Sequence, residues 1–114
     1  MKGEKRYLGK GLHDTEVTHV QKTELAYDVH ACDPKRSYLE IGLNSEQALF
    51  DVGVCAVRFY NCVIVSGELP AVGDWWQEDT LSEQSGKTIV SMRFRGRKTQ
   101  THLVVRCSAV ESLR

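Results

Sequence analysis

Apolar and polar residues alternate along much of this chain, which is the spacing of a β-strand that buries one face. Between residues 37 and 43 the inward positions are Leu39, Ile41 and Leu43, and Glu40 points outward. The same alternation runs through residues 16–21, 23–31, 87–95 and 99–107. The pattern therefore predicts a series of short strands, each with one face in the core.

The breaks between these strands carry residues that favour tight turns. Asp33 and Pro34 lie in the break at residues 32–36, and Gly96 lies in the break at residues 95–98. Asp, Pro and Gly each satisfy the backbone demands of a turn. We therefore predict two hairpins, one joined at each break.

The most apolar stretch is Val52–Val65, which is rich in β-branched and aromatic residues. Such a composition is typical of a strand. We predict one long central strand in the core, with a bulge or bend at Asn61–Cys62. Ahead of it, Asn44–Phe50 is a candidate for a single helical turn, since Asn44 can cap it.

Together these elements predict a mostly-β fold. About six strands in a meander-like order, with at most one short helix, favour an antiparallel β-sandwich or open barrel. A length of 114 residues suits one domain. We expect it to span residues 1–114, with residues 1–10 as a candidate flexible end.

Charge is balanced overall but unevenly distributed. Fifteen basic and fifteen acidic residues give a formal net charge of zero, so nothing requires a nucleic acid or a membrane as partner. Arg58 is the only basic residue between Ser37 and Glu83, and Glu111 is the only acidic residue after Gln84. The acidic middle and the basic end either compensate each other or form a dipole suited to a charged partner.

No apolar segment has the length of a signal peptide or a membrane span. We therefore expect a cytoplasmic protein. Its four cysteines are then expected to be reduced thiols within apolar runs: Cys32, Cys55, Cys62 and Cys107.

The segment Gly67–Gly86 is predicted to be the longest irregular part of the chain, and it contains adjacent tryptophans. Adjacent side chains of extended backbone point to opposite sides, so we expect one tryptophan to be exposed or covered by a partner. The predicted partner-binding residues are Trp75, Trp76, Asp74, Glu78 and Asp79. This aromatic anchor with an acidic rim is typical of protein interfaces. Alternatively, one tryptophan closes the end of the barrel and the other lies on the surface.

Signatures of catalysis are sparse. His13, Asp14 and His19 lie close in sequence, but not at the spacing of a known metal or acid/base site, and Asp14 has an alternative role in a turn. The sequence has no nucleophile-elbow, phosphate-loop or zinc-protease motif. The outward face of the last hairpin carries basic residues but no aromatic residues that could stack on bases, since Phe94 is predicted to point inward. We predict no catalytic residue, metal or cofactor, and no nucleic-acid partner.

Four stretches, Leu12–Val17, Tyr38–Ile41, Val57–Cys62 and Leu103–Glu111, together resemble small bacterial all-β proteins that open with a His-Asp-Ala-like element. Thr15 departs from the usual alanine. Some of these proteins are immunity proteins of polymorphic toxin systems. The resemblance implies a β-sandwich or open barrel that binds a protein, without catalytic residues.

The leading hypothesis is therefore a non-enzymatic, immunity-like protein-binding module that acts through the segment Gly67–Glu83. Replacing Trp75 or Trp76 with alanine should then abolish partner binding and change stability by less than about 1 kcal/mol.

Two alternatives belong to other classes. One is a structural homodimer joined through strand edges and its acidic and basic faces. The other is an enzyme that uses His13, Asp14 and His19.

Overall fold

A computed structural model describes residues 15–23, 37–46 and 53–114. These residues contain no helix and form eight strands: β1 Glu16–Thr23, β2 Tyr38–Asn44, β3 Ala56–Tyr60, β4 Val63–Gly67, β5 Trp75–Gln84, β6 Lys87–Arg95, β7 Gln100–Cys107 and β8 Ala109–Leu113. The predicted fold class is confirmed, although the strands number eight rather than about six.

The strands form one open antiparallel sheet in the order β4-β7-β6-β5-β1-β2-β3-β8. It consists of two meanders, β1-β2-β3 and β5-β6-β7, that meet where β1 lies beside β5. Within the described residues this joint is short, because Glu16 and Trp75 are its one paired position. Two backbone bonds of 2.8 Å extend it, from Val17 N to Asp74 O and from Trp76 N to Thr15 O.

The two outer strands continue inner ones along the chain, β4 after β3 and β8 after β7. Tyr60 pairs with Ala109, and Val63 pairs with Arg106. Tyr60 and Val63 are three positions apart, and so are Arg106 and Ala109. The β3–β8 pairing and the β4–β7 pairing therefore have the same register and form one continuous ladder. Asn61 bends this ladder with a φ of 52°, a left-handed conformation that asparagine tolerates.

The bend predicted at Asn61–Cys62 is therefore confirmed, but the single long core strand is not. Four of the five β3 residues are buried, whereas all five β4 residues are exposed. β4 lies at the edge of the sheet, where no layer formed by the described residues covers its apolar side chains.

The core lies between the two meanders and draws side chains from both. Its buried members are Val17, Leu39, Ile41, Leu43, Val54, Val57, Phe59, Trp76, Val90, Met92, Phe94, Leu103, Val105 and Cys107. The inward positions predicted for β2, which are Leu39, Ile41 and Leu43, are confirmed. Period-two alternation therefore located the core correctly wherever the strands are regular.

The prediction of an irregular segment over Gly67–Gly86 is wrong for half of its length, because ten of its twenty residues form β5. A bulge between Trp76 and Glu78 interrupts the alternation that would have revealed this strand. Ser85 and Gly86, with φ of 52° and 78°, then make the tight turn into β6.

Several predictions fall outside the described residues: the flexible end at residues 1–10, the strand over 24–31, the turn at 32–36 and most of the helical turn at 44–50. In the described part, no helix has the length and apolarity needed to cross a membrane.

Candidate protein-binding site

The two adjacent tryptophans lie on opposite faces of β5. Trp76 is 1% exposed, and its ring meets Phe94 edge-on at a centroid distance of 5.0 Å. Trp75 is 38% exposed. The expectation that one tryptophan is exposed is therefore confirmed. Trp76, which the sequence placed among the partner-binding residues, is buried in the core.

The three predicted acidic residues have separate structural roles. Asp79 is buried and accepts a hydrogen bond of 2.9 Å from Trp76 Nε1. Asp74 holds the loop before β5, since its Oδ2 accepts a bond of 2.9 Å from the backbone N of Ala71. Glu78 is exposed and pairs with Arg93 at 3.0 Å. These carboxylates therefore do not form a common rim around the tryptophans.

The exposed Trp75 lines an open cleft of about 790 Å³ at one end of the sheet. The cleft is bounded by β1, the loop before β5, β5 and the turn between β6 and β7. Its lining residues are Glu16, Val72, Gly73, Trp75, Arg95, Gly96 and Arg97. We call it the Trp75 cleft. Its apolar surface comes from Trp75 and Val72, which is 68% exposed.

The charge of the Trp75 cleft differs from the predicted acidic rim. Trp75 lies directly opposite Arg95 in the β5–β6 register, so the pairing of these strands brings the basic hairpin beside the tryptophan. Among the described residues, neither Arg95 nor Arg97 has an acidic partner within ion-pair distance. Arg95, Arg97 and Glu16 line the cleft together with Trp75, and the Asp74 carboxylate lies beside the lining residue Gly96. The two arginines without an acidic partner in the described part of the chain favour a ligand that carries acidic groups, and the exposed tryptophan favours apolar ones.

A second polar cluster lies on the outer face of β1, β2 and β3. His19 Nε2 donates to Glu40 Oε2 at 2.7 Å, and Arg58 Nε donates to Glu40 Oε1 at 2.6 Å. The Arg58 guanidinium also stacks over the Tyr38 ring, 4.3 Å from its centroid. Burial raises the pKa of Glu40, but these two donors outweigh it and lower the pKa below its usual value of 4.5.

The observed partner of His19 differs from the residues with which it was grouped from the sequence. His19 was considered with His13 and Asp14, which lie outside the described residues. Its observed partner Glu40 is on the neighbouring strand, 21 positions away in the sequence. Closeness in sequence therefore could not predict the contact between His19 and Glu40. Both oxygens of Glu40 are engaged, and the cluster fastens three strands together.

Ser91 and His102, which sequence analysis did not single out, share a hydrogen bond of 2.8 Å between Oγ and Nε2. They lie on β6 and β7, each of which is paired on both sides. The backbone amides of these strands therefore bond to neighbouring strands, whereas a nucleophilic serine needs free donors for an oxyanion. The arrangement suits a cross-strand contact.

The described cysteines are all free thiols, but they differ in burial. Cys107 is buried, Cys62 is half-buried, and Cys55 is exposed rather than in the core as expected. Burial raises the pKa of Cys62 to about 11 and that of Cys107 to about 12. In the described part of the chain, no three His, Cys, Asp or Glu side chains gather as a metal site would require.

Comparison of this chain with protein families, with curated protein sequences and with solved structures finds no match.

Proposed function

We propose that this protein is a non-enzymatic binding module that holds a segment of another protein in the Trp75 cleft. The observation that carries the proposal is a large aromatic side chain, 38% exposed, at the wall of a cleft that also contains two arginines. Trp and Arg are the residue types most enriched at the energetic centres of protein interfaces.

The backbone around Trp75 is held in place in the unbound protein. Trp75 is paired with Glu16 of β1 on one side and with Arg95 of β6 on the other. The preceding loop is held by Asp74 and by a bond of 2.8 Å from Gly73 N to Val17 O. Such preorganisation lowers the entropy lost on binding, which supports a binding role for this cleft.

The charged and apolar residues of the Trp75 cleft indicate which side chains the partner segment would carry. Arg95 and Arg97 favour acidic side chains in the partner segment. Trp75 and Val72 favour an apolar or aromatic side chain of the partner that packs between these two residues. If the protein is an immunity protein, as the resemblance implies, its partner would be a toxin. That resemblance stays a prediction, and the proposed cleft chemistry does not depend on it.

Selection from a random peptide library displayed on phage tests this proposal. We expect the wild-type protein to enrich peptides that combine Asp or Glu with an apolar or aromatic residue. Synthetic copies of those peptides should bind Trp75→Ala and the double variant Arg95→Ala/Arg97→Ala at least tenfold more weakly. Lys87→Ala is the matched charge control, because Lys87 lies at the far end of the β5–β6 hairpin.

Circular dichroism and urea unfolding of Trp75→Ala should show a folded protein, with stability within about 1 kcal/mol of wild type. Failure to enrich any peptide, or equal affinity for wild type and Trp75→Ala, would contradict the proposal.

A second candidate function, a structural homodimer, is favoured by the edge strand β4. Val63, Ile64 and Val65 are 51%, 40% and 55% exposed, and β4 contains no charged residue or proline. In the described part of the chain, β4 pairs only with β7. Natural edge strands are usually protected by charge or proline, so this edge favours antiparallel pairing with β4 of a second copy.

Sedimentation velocity distinguishes this candidate from the binding module. We expect a wild-type dimer that Val65→Lys converts to a monomer, because the added charge would lie within the paired edge. Trp75→Ala, the control, should leave the dimer intact. A wild-type protein that is monomeric at every concentration would exclude the homodimer.

A further inference from the structure

Two cysteines face each other where the long ladder bends. Val63, the first residue of β4, pairs with Arg106 of β7. Cys62 directly precedes Val63 in the chain, and Cys107 directly follows Arg106. Because the register is the same on both sides of the bend, Cys62 is placed opposite Cys107. The two residues are cross-strand neighbours, far apart in sequence.

Both side chains also lie on the same face of the ladder. Ile64 pairs with Val105, and Cys62 and Cys107 each lie two positions from this pair, on the core side. Cys107 belongs to the hydrophobic core, and Cys62 packs against it. The thiols therefore point into the same space.

We infer that Cys62 and Cys107 form a dithiol pair that becomes a cross-strand disulfide when a small-molecule disulfide oxidises it. Opposite residues in antiparallel strands have Cα atoms about 4.5–5.5 Å apart. This separation lies within the roughly 4.4–6.8 Å found across disulfides. The backbone can thus accept the bond without large movement.

The electrostatics of the two thiols agree with this placement. Burial is the main reason that the pKa of Cys107 is raised to about 12, and the nearby Cys62 raises it further. This interaction agrees with the placement of both thiols at the bend of the ladder. In the reduced state Cys107 Sγ donates a weak hydrogen bond of 3.8 Å to Thr88 O, a contact that oxidation would replace.

The reaction proceeds by two thiol–disulfide exchanges. Cys62, the more exposed thiol, loses its proton to solvent, and its thiolate attacks one sulfur of the small disulfide and releases one small thiolate. Cys107 then loses its proton and attacks the Cys62 sulfur of the mixed disulfide, releasing the second small thiolate. The protein dithiol loses two electrons, and the small disulfide is reduced to two thiols.

The raised pKa values make this oxidation slow at neutral pH, since only thiolates attack. We expect its rate to rise about tenfold per pH unit between pH 7 and pH 9. The disulfide should then fasten the bend between the two long strands and raise the urea midpoint of the oxidised protein.

Peptide mapping tests the inference. The folded full-length chain is incubated with oxidised glutathione and alkylated with N-ethylmaleimide. It is then digested with trypsin and examined by mass spectrometry without reduction. We expect a linked pair of peptides that contain Cys62 and Cys107, which should also form in Cys55→Ser and should be absent from Cys62→Ala.

The same incubation in 8 M urea is the control for chance pairing, and there the preference for this pair should disappear. Single glutathione adducts without the internal link in the folded protein would overturn the inference. So would preferential pairing of either thiol with Cys32 or Cys55.

Discussion

The indole of Trp76 donates a hydrogen bond of 2.9 Å from Nε1 to Asp79 Oδ2, and both residues are buried, at 1% and 3% exposure. Three positions separate them on one strand, and side chains three apart normally lie on opposite faces of a strand. The bulge between Trp76 and Glu78 places them on the same side. The bulge therefore brings the Trp76 indole N–H within hydrogen-bond distance of a buried carboxylate.

Removal of this donor should destabilise the protein. In Trp76→Phe, Asp79 loses a hydrogen bond inside the core, and the smaller ring leaves a void beside Phe94. We expect a loss of about 2–4 kcal/mol in the free energy of unfolding, measured with urea. Trp75→Phe, the matched control on the exposed face, should change it by less than about 1 kcal/mol. Equal effects of the two variants would contradict the assignment of Trp76 to the core.

Glu40 should make stability depend on pH in the acid range. Its folded-state pKa is lowered from 4.5 by His19 and Arg58, so its contribution is present above pH 4.5 and is lost as the pH falls through the folded-state value. At pH 7, Glu40→Gln should cost about 1–3 kcal/mol. The difference between wild type and variant should narrow as the pH falls below 4.5.

Urea unfolding at a series of pH values measures this difference. Glu78→Gln is the control, because Glu78 forms an exposed ion pair that should contribute less than about 1 kcal/mol. A difference between wild type and Glu40→Gln that stays constant down to pH 2 would show that the carboxylate charge is not responsible.

Two glycines with positive φ should differ sharply in their tolerance of alanine. At Gly67, with φ of 86°, an added Cβ would lie 1.9 Å from the backbone oxygen of His102. At Gly86, with φ of 78°, no atom of the part of the chain that the structure describes lies within 4 Å of the added Cβ. We expect Gly86→Ala to cost about 1–2 kcal/mol from backbone strain alone.

Gly67→Ala carries the same strain together with a clash against β7. It should therefore cost at least about 2 kcal/mol more than Gly86→Ala. Thermal and urea unfolding of the two variants provide the comparison, and similar losses would mean that β4 can move away from β7 without cost.

The sequence predicted the parts of the fold where alternation is regular. Leu39, Ile41 and Leu43 were placed inward correctly, because each is separated from the next by a single outward residue. β5 was missed, because its bulge breaks the period between Trp76 and Asp79.

The composition of the candidate site was harder to predict. Trp75 was recognised, but its neighbour Arg95 lies 20 positions along the chain and reaches it only through strand pairing. His19 and Glu40 are likewise distant in sequence and meet only through strand pairing. Sequence patterns give the direction of a side chain along its own strand, whereas the strand register decides which residues meet across the sheet.

The bent ladder also determines the order in which the molecule can fold. The β5–β6 and β6–β7 hairpins close short loops and can form at once. β3 meets β8 only after β4, β5, β6 and β7 have been synthesised, and closing so long a loop is entropically slow. During synthesis on the ribosome we therefore expect β3 to keep one edge unpaired until β8 emerges, and an unpaired strand edge favours aggregation.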